Sequence, residues 1–336
     1  MKKIGKTFFC LVLLGVVMGV VLLFFTSSHL SVREIGIPGI HQNHVDIESS
    51  FNTEMRQRVK TLQSACKQLR ANGSDFFSIE KSKLGHIVVD DKYQVMYCYV
   101  PKVACTNLKR VFLLLTGMMN VTDPLQLKSA DVHGVHDKYL KYLNTVPSSG
   151  IAYRLKHYKK VIFVREPLER LLSAYRNKFL QNGNEYFKDR FGRKIIKQYR
   201  NNASAMSLEK GHDVRFEEFV EYFVDPKTQG QQYNEHWAPF FDLCHPCHMK
   251  YNFIGKYETL DDDVNGLLRI LNVHNQIRFP DRGDNYKTLK TEDMLWKFYK
   301  SLDPVAVAKM VDIYSNDYSL FGYDLPPVAQ KKLAKI

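Results

Sequence analysis

Two stretches of the chain pass from an apolar run straight into a helical pattern, and they restrict the fold more than any other feature. The first is "VMYCYVPKVACTNLKRVFLLLTG", residues 95–117; the second is "VIFVREPLERLLSAYRNKFL", residues 161–180. Val161 to Val164 are apolar and rich in β-branched residues, which suits a buried parallel strand. Pro167 suits the first turn of a helix. Leu168, Leu171, Leu172, Tyr175 and Phe179 then recur at helical spacing and give one apolar face. In the first stretch the helix is expected to end at Gly117. "HIVVD" at 86–90 and "VMYCYV" at 95–100 read as two short strands. Two strand–loop–helix units joined by a crossover imply an α/β fold, with a central parallel sheet flanked by helices. Ligands in such folds sit at the carboxyl ends of the strands, where both loops lie.

The loop "PKVACTN", 101–107, has no glycine-rich phosphate motif, and GxxxxGK[ST] occurs nowhere in the chain. Lys102 is nevertheless a mobile cation that can reach an anion. Ala104 and Cys105 are small enough for backbone N–H groups to approach a ligand, and Thr106 offers a hydroxyl near a helix start. The simpler reading is a capped helix with a solvated lysine. In "REPLERLLS", 165–173, Arg165 stands at the strand end and can fork onto a phosphate. Arg170 and Ser173 share a helix face. The simpler reading here is an amphipathic helix with surface arginines, and it suits Arg170 and Arg176 better than Arg165. Two anion sites on neighbouring strand ends call for a ligand with phosphates at two separated positions, such as a 3′,5′-bisphosphorylated nucleotide.

The chain has 336 residues and a formal net charge of +13, so acidic partners are expected. Residues 1–7 carry three lysines, and Phe8 to Phe25 is an 18-residue stretch without a charge. That length suits a membrane-spanning helix with the short basic end cytoplasmic and the rest lumenal. The competing reading is a cleaved signal peptide. Residues 26–83 read as a stem with one helical stretch, and 84–336 as the lumenal globular domain. Asn72, Asn120 and Asn202 are glycosylation acceptors by sequence pattern. A secretory location disfavours nucleic acid as the acidic partner and favours a sulfated or carboxylated glycan. Outside the anchor there are five cysteines, so at least one is free or pairs between chains. "CHPCH" at 244–248 has half of a zinc pattern and no second half, which makes a disulfide the better reading in an oxidising lumen.

"CYVPKVACTNLKRV" and "FVREPLERLLSAYRNKF" resemble the 5′-phosphosulfate and 3′-phosphate binding segments of Golgi carbohydrate sulfotransferases, above all the chondroitin 4-O-sulfotransferase branch. "YNEHW" at 233–237, "LCHPC" at 243–247 and "GKYETL" at 255–260 are similar too, so the resemblance spans about 85–330. Leu108 and Tyr233 depart from the family pattern, which has Trp and Phe there. The resemblance implies a P-loop-like sulfotransferase fold behind an N-terminal transmembrane helix and stem, in a single-pass type II Golgi membrane protein. It implies 3′-phosphoadenosine 5′-phosphosulfate (PAPS) as donor, no metal, and a chondroitin-type glycosaminoglycan as acceptor. Pro101, Lys102, Val103, Ala104, Cys105, Thr106 and Asn107 would hold the 5′-phosphosulfate. Arg165, Glu166, Pro167, Leu168, Glu169, Arg170, Leu171, Leu172 and Ser173 would hold the 3′-phosphate.

Lys102 would act on the bridging oxygen. The acceptor hydroxyl needs a base, with His133, His136, His236, Glu235 and Glu169 as candidates. The resemblance puts His133 first and His236 second. Arg193, Lys197 and Arg200 at helical spacing are candidates for a basic acceptor groove, or else a solvated helix face. Alternatives are an enzyme acting on dermatan, HNK-1-type glucuronic acid or terminal GalNAc of N-glycans, and a glycan-binding scaffold without activity. A lumenal kinase is disfavoured because no kinase signature is present.

Overall fold

The computed structural model describes residues 40–71, 79–181, 183–230, 233–280 and 291–336. The expected tail, the anchor at 8–25, the first part of the stem and Asn72 lie outside the described residues. Two compact units are distinguished, residues 1–50 and 51–336. The described part of the first is the opening of helix α1 (Ile40–Ala71).

Within the second unit, β1 (Ile87–Asp90) and β2 (Val95–Cys98) form an antiparallel hairpin. Helix α2 (Cys105–Leu115) follows β2, as expected, and Gly117 just beyond it has φ +70°. The two-residue β3 (Lys141–Tyr142) pairs antiparallel with β1. Then come α3 (Ser148–His157), β4 (Lys159–Val164) and α4 (Pro167–Tyr175). β4 lies parallel to β2, and β5 (Phe253–Lys256) lies parallel to β4. The strand order is β3-β1-β2-β4-β5. The expectation of a parallel sheet therefore holds for β2, β4 and β5, while β1 and β3 run antiparallel. The turn between β1 and β2 is too short for a crossover, so those two strands can only form a hairpin. β1 and β2 are buried throughout, and β4 at all but its first residue, which explains their continuous apolar runs.

Residues 51–71 of α1 correct the stem boundary. Met55, Leu62 and Ala65 lie in the same apolar core as the sheet. Buried Arg58 donates to Asp263 at 2.7 Å and to the carbonyl of Ile254 in β5 at 2.9 Å. Gly266, in the helix Leu260–Ile270, leaves room for Phe51: a Cβ there would sit 2.2 Å from its ring. Cys66 is bonded to Cys247, and Cys98, in β2, to Cys244. Both cysteines of "CHPCH" are thus consumed in disulfides, and Cys105 is the free thiol among the described residues. A second apolar cluster joins Leu168, Leu171 and Leu172 of α4 to Trp237, Tyr299 and Tyr314. α4 is thereby clamped along its length, which fixes the loop before it.

Candidate active site

Two backbone torsions shape the loop after β2. Lys102 has φ +74° and Ala104 φ +52°, both in the left-handed region without a glycine. Each costs about 1–2 kcal/mol and persists only where surroundings over-determine it. The surroundings here are two arginines from the second loop. Arg170, fully buried, donates to the carbonyls of Pro101 (3.1 Å), Ala238 (2.6 Å) and Glu235 (2.9 Å). Arg165 Nη1 donates to the carbonyl of Lys102 at 3.3 Å. α2 begins at Cys105 with no side chain capping it. Its first N–H groups are therefore available to a ligand.

The two loops meet at a cavity of about 280 Å³. Lys102, Ala104, Cys105, Thr106 and Asn107 line it from one side, Arg165 and Ser173 from the other. Lys102 is half-buried. Burial holds its ammonium down to about 7, and the charges of Lys178, Arg165 and Arg170 add to this. The Arg165 guanidinium lies 4.0 Å from the centre of the Tyr257 ring and 3.2 Å from Glu169. Beyond Tyr175 the helix widens into a π-turn, Arg176–Leu180. From this turn Arg176 and Asn177 line the cavity, and Arg176 donates to Thr291 at 2.9 Å. Tyr257, Leu260, Phe279 and Pro280 add an apolar wall.

Beside the first loop, His133 Nε2 lies 2.9 Å from the Thr106 hydroxyl. Burial, and then Lys109, hold His133 below the usual histidine range. His236 Nδ1 is 2.8 Å from Asn234 Oδ1, so it donates there and Nε2 keeps its lone pair. Burial pushes His236 down to about 2, with Lys178 and Lys102 contributing. The Glu235 carboxylate stands 3.7 Å from His86 and 3.9 Å from His236. A cavity ringed by cations and a helix start, with neutral imidazoles at its edge, suits transfer of an anionic group to a hydroxyl.

A family model described as sulfotransferase family matches residues 85–324. The chain belongs to the sulfotransferase family. It is 40% identical over 286 residues to carbohydrate sulfotransferase 11 of Rattus norvegicus, covering 84% of this chain and 80% of the relative. It is 39% identical to carbohydrate sulfotransferase 14 of Danio rerio, covering 84% and 74%. It is 35% identical to carbohydrate sulfotransferase 8 of Mus musculus, covering 82% and 65%. No solved structure matches it significantly. The chain is thus an enzyme of the carbohydrate sulfotransferase kind.

Not every residue that the sequence singled out faces this sulfotransferase's cavity. Pro101, Val103, Pro167, Leu168, Leu171 and Leu172 are buried in packing. Glu166 is buried too and caps α4 by accepting from the N–H groups of Leu168 (3.1 Å) and Glu169 (2.6 Å). Arg170 binds backbone rather than ligand space, and Arg176 lines the cavity, so neither is the surface arginine that the amphipathic pattern suggested. Arg176 and Tyr257, which the sequence reading did not place in the site, line the cavity. Arg176 lies in "AYRNKF", where the π-turn rotates the register away from that of a regular helix.

The expected basic groove on Arg193–Tyr199 is mostly neutralised. Arg193 pairs with Asp189 at 2.8 Å, while Lys197 is exposed. Arg200 lies beyond the helix and is gripped by Glu218 and Asp213, both at 2.6 Å. His136 is half-buried, and Leu108 is core. Tyr233 donates to the Phe223 carbonyl at 3.2 Å. Asn120 and Asn202 are exposed.

Proposed function

We propose that this enzyme transfers the sulfuryl group of PAPS to the 4-hydroxyl of GalNAc in a chondroitin-type glycosaminoglycan. The observation that carries the reading is the meeting of the two loops at one cavity. Lys102 and Thr106 stand at the start of α2, and Arg165 and Ser173 stand across from them. That pairing suits a nucleotide with anionic groups at two positions, and the apolar wall of Leu260, Phe279 and Pro280 suits its base. The donor supplies a sulfuryl group on a phosphate leaving group. Lys102 offsets the charge that grows on the bridging oxygen as the sulfur–oxygen bond breaks. His133 takes the proton of the acceptor hydroxyl as the new oxygen–sulfur bond forms. His236 is held neutral by burial and by the charges of Lys178 and Lys102, and it is the second candidate for that role.

The N-terminal apolar stretch supports a single-pass type II Golgi membrane protein with a lumenal catalytic domain. The two disulfides are in keeping with an oxidising lumen. Asn72, Asn120 and Asn202 are the glycosylation sites of this reading. The experiment is incubation of the protein with labelled PAPS and a panel of desulfated chondroitin, dermatan and N-glycan acceptors, followed by digestion to disaccharides. Label on the 4-position of GalNAc from chondroitin is expected. Label only on glucuronic acid or on N-glycans would replace the acceptor, and no label on any glycan would overturn the reading.

A further inference from the structure

Lysines gather at the end of the sheet opposite the transfer cavity. Lys159 and Lys160 open β4, Lys156 and His157 close α3, and Lys250 precedes β5. A separate cavity of about 380 Å³ opens there, lined among others by Tyr93, Gln94, Lys156, Lys159 and Asn252. Burial, and then the charges of Lys250 and Lys159, hold the Lys160 ammonium below its usual value. Asp91, in the turn after β1, is already taken by Arg154 (2.7 Å), Lys141 (2.8 Å) and the Tyr158 hydroxyl (2.8 Å). Among the described residues, none of Lys156, Lys159 or Lys250 has an acidic partner. This is the reverse of the Arg193–Arg200 segment, where acids meet the arginines.

The platform under these lysines is fixed by backbone bonds. Lys159 N–H donates to the Gln94 carbonyl at 2.9 Å, Lys160 N–H to Asn252 Oδ1 at 2.9 Å, and Asn252 N–H to the Lys160 carbonyl at 3.1 Å. Tyr153, 54% exposed, packs against His157 with ring centroids 4.6 Å apart and planes tilted by 34°, and adds an aromatic face. Part of the cluster serves the fold: Lys160 Nζ donates to the carbonyls of Leu155 (3.0 Å) and Tyr158 (3.2 Å), near the end of α3. Cations favour helix C-termini. That accounts for Lys156, His157 and Lys160, but not for Lys159 or Lys250, which belong to other elements.

We propose that this cavity is a docking site for the carboxylate or sulfate groups of a polyanionic carbohydrate chain, remote from the site of transfer. The acidic polymer rests on the function proposed above. From Lys160 to Arg165 the strand covers five residues, about 17 Å at the usual rise. The site can therefore hold an acceptor only through sugars far from the reacting one, and it acts on long chains alone.

The test replaces Lys156, Lys159 and Lys250 by Gln in the full-length protein, with a triple Lys→Arg variant as the charge-preserving control. Chondroitin polymer should bind the Gln variant roughly tenfold more weakly at about 0.1 M salt, where charges farther apart than about 10 Å are screened. KM for polymer should rise with it. Turnover of a disaccharide acceptor, affinity for adenosine 3′,5′-bisphosphate and thermal stability should stay as in the wild type, and the Arg variant should bind polymer normally. Equal polymer affinity in wild type and Gln variant would overturn the site, as would loss of binding to anionic lipid vesicles without loss of polymer binding. Wild type that binds polymer through these lysines but sulfates no chondroitin would overturn the function reading and leave the site standing.

Discussion

Raising the pH above 7 should weaken donor binding through Lys102. Burial lowers this lysine from 10.5 to about 7 in the free enzyme. A drop of that size corresponds to about 5 kcal/mol by which the pocket disfavours the ammonium. A bound phosphosulfate or bisphosphate brings opposite charge and moves the value back up. Free Lys102 is then protonated in about half of the molecules at pH 7, about one in ten at pH 8 and about one in a hundred at pH 9. The bound form keeps the proton over this range, so binding takes up about 0.9 proton at pH 8. The apparent Kd for adenosine 3′,5′-bisphosphate should rise about fivefold from pH 7 to 8 and about fiftyfold from pH 7 to 9. Phosphate groups have their second pKa near 6, so they are already about nine-tenths dianionic at pH 7 and change little across this window.

Titration calorimetry in buffers of different ionisation enthalpy reads the proton directly. Lys102→Ala should abolish the uptake and lower kcat by about 3–4 kcal/mol of lost transition-state stabilisation. Lys102→Arg should keep its charge at every pH and show no step. A wild-type Kd that is flat from pH 7 to 9, or the same step in Lys102→Ala, would refute the reasoning.

Three further outcomes follow from the same contacts. His133→Ala should lower kcat by about 10²–10⁴-fold with little change in bisphosphate affinity, measured by single-turnover assay and calorimetry; loss of affinity without loss of turnover would make His133 a partner of Thr106 and not the base. Arg165→Ala should weaken bisphosphate binding far more than binding of the analogue lacking the 3′-phosphate, and Arg165→Lys should not rescue it, because lysine lacks the planar fork that stacks on Tyr257. Asp263→Ala should destabilise the fold by about 2–4 kcal/mol in urea unfolding, since buried Arg58 then keeps only the partly exposed Glu54 as an acidic partner; a change under about 1 kcal/mol would mean that α1 contributes little to the core.

The two strand–loop–helix units were legible because their signals are local. The run 161–164, Pro167 and the spacing of Leu168, Leu171 and Leu172 all act within a few residues, and so do the apolar run ending at Val100 and the helix closing near Gly117. That was enough to bring Lys102, Thr106, Arg165 and Ser173 to one place, since strand ends of a parallel sheet share an edge. The sequence also showed, by parity alone, that at least one of the five cysteines outside the N-terminal apolar stretch has no partner within the chain among those five. It did not show which. The pairings Cys66–Cys247 and Cys98–Cys244 span 181 and 146 residues, and no local pattern reaches that far. The same distance hid the docking of residues 51–71, whose partners Ile254 and Asp263 lie about two hundred residues on. Only the folded chain decided that Arg170 is a brace, Arg176 a cavity wall and Arg200 a neutralised cation. Charge is visible in a sequence, but whether an arginine meets a carbonyl, a carboxylate or open space depends on what tertiary packing sets against it.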